Sequence, residues 1–204
     1  MKKLTLYTNP QSRGRIVRWI LEEIGTPYEL EVMEYGGSIK SPEYLAINPM
    51  GKVPAIKHGE QVVTEVAAIC AYLADQFPDE NLAPAQLEAQ RGDYYRWLFF
   101  AAGPLEMALT AKAYQWNIDA ENAISIGCGL VEDTINTIEE ALKKSPYICG
   151  DNFTAADIVL ASTLGWAILM KNLEPSPVLT EYVNRCDARP AAQRANELDD
   201  ALMK

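Results

Sequence analysis

The chain has 204 residues, 49% hydrophobic and 23% charged, a globular composition with room for one large core or two smaller ones. A formal net charge of -10 argues against nucleic acid as a partner, which needs a basic surface, and no run approaches the ~18 apolar residues of a membrane span. Met1-Lys2-Lys3-Leu4-Thr5-Leu6-Tyr7 is too short in apolar content for a signal peptide, so a soluble, cytoplasmic protein is expected. The charge is uneven: residues 1–78 carry 8 Lys and Arg against 9 Asp and Glu, residues 79–204 carry 10 against 19. The first stretch is thus nearly neutral and suits an anionic ligand, whereas the second reads as a solvated acidic body. Cys70, Cys128, Cys149 and Cys186 form no C-x-x-C pair, and His58 is the single histidine, which argues against a dithiol, a zinc site and a histidine-based triad.

In chain order, Lys3 to Thr8 alternates as a strand. Asn9-Pro10-Gln11-Ser12 is turn chemistry ending in an N-cap residue. Ile16, Val17, Ile20, Leu21 and Ile24 then lie on one helical face, and Gly25 stops the helix. Tyr28 to Met33 predicts a second strand, and Ser41 to Ile47 a short helix with Pro42 at its first position. Two β-type runs, Pro54 to Lys57 and Gln61 to Val63, flank the turn His58-Gly59-Glu60. The second run feeds Thr64-Glu65, where Thr64 is expected to cap a helix with its apolar face at Val66, Ile69, Cys70, Leu73 and Phe77. Pro54 cannot donate to a ladder, so it belongs at a strand start or edge, which leaves the Val53 amide and carbonyl open to a peptide-like ligand.

Pro78 to Pro84 reads as a linker, and everything after it as helical. Gln86 to Lys112 is expected to be a long helix that breaks at Gly103-Pro104. Asp119 to Lys144 is a second helix, and the almost wholly apolar Thr154 to Met170 a buried third. Shorter ones follow around Val178–Cys186 and Ala191–Leu202. Phe153-Thr154-Ala155-Ala156-Asp157-Ile158 has the pattern of a capping box with a hydrophobic staple, which makes Asp157 structural rather than catalytic. The helix opened by Thr64-Glu65 has a functional reading too: the amides of Val66 and Ala67 would point at an incoming carboxylate, and Glu65 would accept from a ligand ammonium.

Three stretches together resemble the cytosolic glutathione transferase family. They are Asn9-Pro10-Gln11-Ser12-Arg13-Gly14-Arg15; Asn48-Pro49-Met50-Gly51-Lys52-Val53-Pro54 followed by Thr64-Glu65; and Gly150-Asp151 with Phe153-Thr154-Ala155-Ala156-Asp157. The resemblance implies an α/β thioredoxin-like N-terminal domain over residues 1–78, an all-α C-terminal domain over residues 85–204, a homodimer, and a cis Val53-Pro54 bond. It implies glutathione as co-substrate, with Val53 pairing its cysteinyl backbone, Glu65 its γ-glutamyl end, and Lys40 and Lys52 its glycyl carboxylate and neighbouring oxygens. Val66 stands where the family usually has Ser or Thr, so a hydrogen bond to the γ-glutamyl carboxylate is missing, weakening binding by about 0.5–1.5 kcal/mol.

For the residue that activates the thiol, Ser12 is the first candidate, Asn9 the second and Tyr7 the third. A hydroxyl donating to the sulfur at the positive end of a helix favours the thiolate, and two pKa units would correspond to roughly 2.7 kcal/mol. The thiolate would then attack a small hydrophobic electrophile, expected between the domains against Tyr94, Trp97, Phe100, Met107 and Trp116. Two other readings stand beside conjugation: a glutathione-dependent peroxidase or disulfide reductase, and a non-catalytic binding or regulatory protein on the same scaffold. No metal is expected.

Overall fold

The computed structural model describes residues 2–203; the outer limits of the two expected domains, Met1 and Lys204, lie outside the described residues. The chain forms two compact units. The first runs to Glu80 and resumes at Arg189, and the second spans Asn81–Ala188.

The first unit begins with β1 (Leu4–Thr8), α1 (Gly14–Ile24), β2 (Glu29–Val32), a 3-10 turn at Ser38–Lys40 and α2 (Pro42–Leu45). It continues with β3 (Ala55–His58), β4 (Gln61–Thr64) and α3 (Val66–Gln76). The strands form one sheet in the order β2-β1-β3-β4, with β1 parallel to β2 and the other pairs antiparallel. Because side chains alternate along a strand, the register sorts them by face. Leu6 is opposite Ile56 and Leu4 opposite His58, on the face where α1 and α3 pack through Val17, Ile20, Leu21, Ile69 and Leu73. Tyr7 is opposite Ala55 on the other face, in a cluster with Met33, Ile39 and Tyr44. The local signals act as read: Gly25 ends α1 at φ 69 with its amide on the Leu21 carbonyl, and the Ser41 side chain caps α2 ahead of Pro42. Gly14 is required by a close approach, since a Cβ there would lie 1.8 Å from the Thr8 Oγ1.

The second unit contains α4 (Gln90–Phe100), a π-helical segment (Ala101–Leu105), α5 (Glu106–Ala113), α6 (Val131–Leu142), α7 (Ala155–Leu169) and α8 (Pro177–Asp187). The expected break at Gly103-Pro104 does not occur. The helix widens into one π segment there, which accommodates the proline ring without ending the rod. The helix expected from Asp119 forms only from Val131. Asp119 and Asn122 instead exchange side-chain bonds with nearby amides, and Gly129 takes φ 61, so the stretch before α6 is turns. The expected linker is not free chain: Leu82 is buried and its carbonyl accepts from the Ala155 amide at 2.7 Å.

α7 is the centre of this unit and packs on α4 and α8. Asp157, fully buried, accepts from the amides of Thr154 and Ile148 and from the hydroxyls of Thr154 and Tyr182, at 2.8 to 3.0 Å. Burial raises its pKa, and these donors pull it back. A fully satisfied carboxylate of this kind is a structural brace.

The last helix, α9 (Pro190–Ala201), was expected in the helical domain but belongs to the first unit. Its buried face is small, Ala192 and Ala195, and it lies along α1. Charge fastens it there: Arg18 to Asp199 at 2.9 Å in the interior, Arg189 to Glu23 at 2.6 Å, Arg194 to Glu22 at 2.6 Å and Arg15 to Asp200 at 2.5 Å.

Candidate active site

The turn after β1 is held by its own side chains. The Asn9 amide nitrogen donates to the Met33 carbonyl at 2.8 Å, and its Oδ1 accepts from the Gln11 amide at 2.9 Å. Both ends of Asn9 thus join β1, β2 and the turn, with one of the two Nδ2 hydrogens on the Met33 carbonyl. The Ser12 amide and hydroxyl both donate to the Asn9 carbonyl, at 3.0 and 2.6 Å, and Ser12 Oγ accepts from the Gly14 amide at 2.9 Å. Ser12 is half-buried at the entrance to α1, and α1 has no side-chain cap at Arg13. Tyr7, the third candidate, lies on the sheet face away from α1, its ring 5.6 Å from that of Tyr44, and burial raises its phenol pKa.

The loop from Asn48 to Pro54 is organised by Asn48 and Tyr44, two residues that the sequence reading quoted or passed over without a role. Asn48 is buried; its Nδ2 donates to the Lys52 carbonyl at 2.8 Å, and its Oδ1 accepts from the Met50 amide at 3.1 Å. The Tyr44 hydroxyl donates to the same Lys52 carbonyl at 2.6 Å. The signal was present in Asn48-Pro49-Met50-Gly51, where an Asx side chain ahead of Pro and Gly favours such a turn. The Val53-Pro54 bond is cis, and the Val53 backbone makes no hydrogen bond among the described residues. Lys40 lies across Gly51, with its Nζ on the Met50 carbonyl at 2.9 Å; Lys52 is exposed.

Glu65 joins β4 to α3, and it, not Thr64, is the N-cap. It has φ 67 and ψ 122, a left-handed conformation that favours glycine and costs a non-glycine residue on the order of 1–3 kcal/mol. Its carboxylate is exposed and makes no bond among the described residues, and α3 has no side-chain cap. The amides of Val66 and Ala67 thus open an eleven-residue helix without a side-chain acceptor, an arrangement that favours negative charge. The strain is the feature sequence reasoning missed, since Glu gives no local sign of a positive φ.

Of the five side chains expected in the electrophile pocket, Tyr94 and Trp97 are interior, 0% and 2% exposed. Tyr94 sits under the Arg91 guanidinium, and the Trp97 ring lies against Phe100 at 5.3 Å. The helical spacing that singled them out marks the core face of α4. Phe100 is half-buried, and Met107 and Trp116 are exposed.

Comparison with known proteins places these elements in a family. Residues 6–81 match the profile of the glutathione S-transferase N-terminal domain, and residues 121–185 that of the C-terminal domain. A glutathione S-transferase of Escherichia coli O157:H7 is 34% identical over 155 residues, covering 75% of this chain and 76% of that protein. Among solved structures, a glutathione transferase from Methylococcus capsulatus superposes with a TM-score of 0.79 at 30% identity, covering 97% of this chain and 99% of its own. A bacterial transferase solved as a ternary complex gives 0.81 at 27% identity, covering 96% and 99%.

Proposed function

The chain belongs to the glutathione S-transferase family, and from that premise we propose that its first unit binds glutathione and lowers the pKa of the ligand's thiol for attack on small hydrophobic electrophiles. The strained Glu65 carries this reading. A carboxylate held in a costly conformation, unpaired, beside two open helix amides is arranged to meet a group that is both ammonium and carboxylate. The α-amino and α-carboxylate groups of a γ-glutamyl residue are such a pair. Glu65 would accept from the ammonium, and the Val66 and Ala67 amides would donate to the carboxylate. The open Val53 peptide would pair with the cysteinyl backbone in the manner of an added strand. Lys40 and Lys52 would face the glycyl carboxylate.

Ser12 is the activating donor in this reading. A thiolate and the Asn9 carbonyl would compete for one hydroxyl hydrogen. The charged acceptor wins, because charge-assisted hydrogen bonds are roughly twice as strong as neutral ones. The thiol proton leaves to solvent, the sulfur forms a bond to carbon, and the electrophile's leaving group departs with its electron pair. Of the five apolar side chains expected to meet such a substrate, Phe100, Met107 and Trp116 are the three not buried. Disulfide exchange is disfavoured, since it needs an accessible low-pKa cysteine. Burial pushes Cys70 and Cys186 well up and Cys149 up to about 12. A homodimer in the cytoplasm is part of the same proposal.

Titration of the purified protein with glutathione, followed by conjugation of a halonitroarene and reduction of a hydroperoxide, tests it. Binding with faster conjugation than peroxide reduction is expected. An absence of binding at millimolar glutathione would defeat the proposal.

A further inference from the structure

Arg15 touches both the activating turn and the C-terminal helix. Its Nε donates to the Pro10 carbonyl at 2.6 Å. On its other edge, Nη1 donates to Asn196 Oδ1 at 3.3 Å and Nη2 to Asp200 Oδ1 at 2.5 Å, with Met203 Sδ at 3.8 Å. We propose that α9 sets the geometry of the Asn9–Ser12 turn through Arg15, so that Asn196 and Asp200 are positioning residues for thiol activation by Ser12. The inference rests on the role given to Ser12 above.

Three observations carry it. First, the Pro10 ring fixes its φ, and the peptide plane after it is held at both ends, by the Arg15 Nε bond on the Pro10 carbonyl and by Asn9 Oδ1 on the Gln11 amide. The peptide plane that holds this carbonyl also holds the Gln11 amide, which leads directly to Ser12. Second, a guanidinium is a planar fork with donors on two edges. With one edge on Pro10 and the other on α9, the side chain transmits the position of the helix instead of only neutralising a charge. Third, the register of α9 is fixed one residue away by the Arg18–Asp199 pair, 4% and 0% exposed. Asp200 is thereby delivered to Arg15. The Arg15–Asp200 contact is partly exposed, at 25% and 58%, so its worth lies in geometry rather than in stability.

The test uses the full chain in four forms: wild type, Arg15→Lys, Asn196→Ala/Asp200→Ala, and Arg194→Ala. The last removes another α1–α9 ion pair, to Glu22, that does not reach the turn. Amide hydrogen exchange without ligand is read at Gln11, Ser12 and Gly14. The first two variants are expected to exchange faster there, and Arg194→Ala to match wild type. With glutathione and a halonitroarene, the same two variants should lower kcat by roughly tenfold, hold the KM for glutathione within about twofold, and move the rising limb of the pH profile upward. Arg15→Lys keeps the charge, so a full rescue by lysine would reduce the role of Arg15 to electrostatics and overturn the inference. So would turn exchange in the α9 double variant equal to that of wild type. Failure of wild type to bind glutathione would instead defeat the function proposed above, and the ligand-free exchange comparison would still decide whether α9 controls the turn.

Discussion

Replacing Ser12 by Ala separates an activating hydroxyl from a structural one. In the structure the hydroxyl donates to the Asn9 carbonyl and accepts from the Gly14 amide, so it does not wait idle for a ligand. A hydrogen bond to a charged sulfur contributes about 1.5–3 kcal/mol, and the Asn9 bond given up is worth about 0.5–1.5. The difference is on the order of 1–1.5 kcal/mol, or about one pKa unit. The two units contemplated from sequence therefore need the field of the α1 N-terminus as well. Ser12→Ala should raise the pKa of bound glutathione by about one unit, read from the ultraviolet absorbance of the thiolate against pH. Below the free thiol's pKa of ~8.5, kcat/KM should fall by about tenfold. Loss of the turn bonds should also cost about 1 kcal/mol in denaturant unfolding. Ser12→Thr, which keeps the hydroxyl, should restore most of the pKa shift. If Ser12→Ala loses stability while the bound thiol titrates where it does in wild type, Ser12 is a brace and the activating assignment is wrong.

Glu65 should give opposite signs in two assays. Glu65→Gly relieves the positive φ and should stabilise the fold by about 1 kcal/mol in urea, while glutathione affinity by calorimetry drops. Glu65→Gln, which keeps the backbone as it is, should weaken binding without that gain. Asp157→Ala strands the Ile148 amide and the Tyr182 hydroxyl as well as the α7 cap. It should cost about 3 kcal/mol or more in thermal or chemical unfolding, well above the roughly 1 kcal/mol of a cap alone, with little change in kcat for the folded fraction. His58, buried against Phe77 with its Nδ1 3.0 Å from the Tyr72 hydroxyl, has its pKa lowered by burial and then by Lys2. The folded state therefore favours the neutral ring. Its contribution is present above the unfolded value of about 6.5 and is lost as pH falls through the lower folded value. Unfolding free energies measured across that window should slope for wild type and flatten for His58→Gln.

Local chemistry carried most of the first unit. Gly25, Ser41-Pro42 and the turn at Gly59 each act within a few residues, so their signals stand in the sequence. The Asp157 brace was half visible: its spacing to Thr154 gives the cap, but Tyr182, 25 residues on, cannot be inferred from that spacing. What failed was long-range or depended on backbone angles. The segment Pro-Ala-Ala-Gln-Arg-Ala-Asn-Glu-Leu-Asp-Asp-Ala is helical in pattern but poor in apolar side chains. Its placement on α1 depends on ion pairs between residues more than 160 positions apart, which no periodicity reveals. Tyr94 and Trp97 mark a different limit, because an aromatic stripe has the same spacing whether it lines a pocket or a core. The positive φ of Glu65 had no signal at all, since glutamate, unlike glycine or asparagine, is not a residue type that marks such a backbone.

The absence of a hydroxyl at Val66 looks like a defect when the site is considered as a set of side chains. Considered as backbone, it is a smaller loss. The groups that would grip the ligand are the Val53 peptide and the Val66 and Ala67 amides, and these are set by geometry rather than by residue identity. The Lys52 carbonyl receives both the Tyr44 hydroxyl and the Asn48 side chain. Since a trans peptide is planar, holding that carbonyl inward turns the Val53 N–H the opposite way, toward the open side of the loop. The strained turn at Glu65 likewise sets the direction from which α3 presents its first amides. In the proposed site Asn48, buried and not itself a ligand contact, would therefore bear on recognition as directly as Glu65 would. Precision at such a site comes from what lies behind the loop, and an unusual residue at one contact position changes affinity by one hydrogen bond rather than removing function.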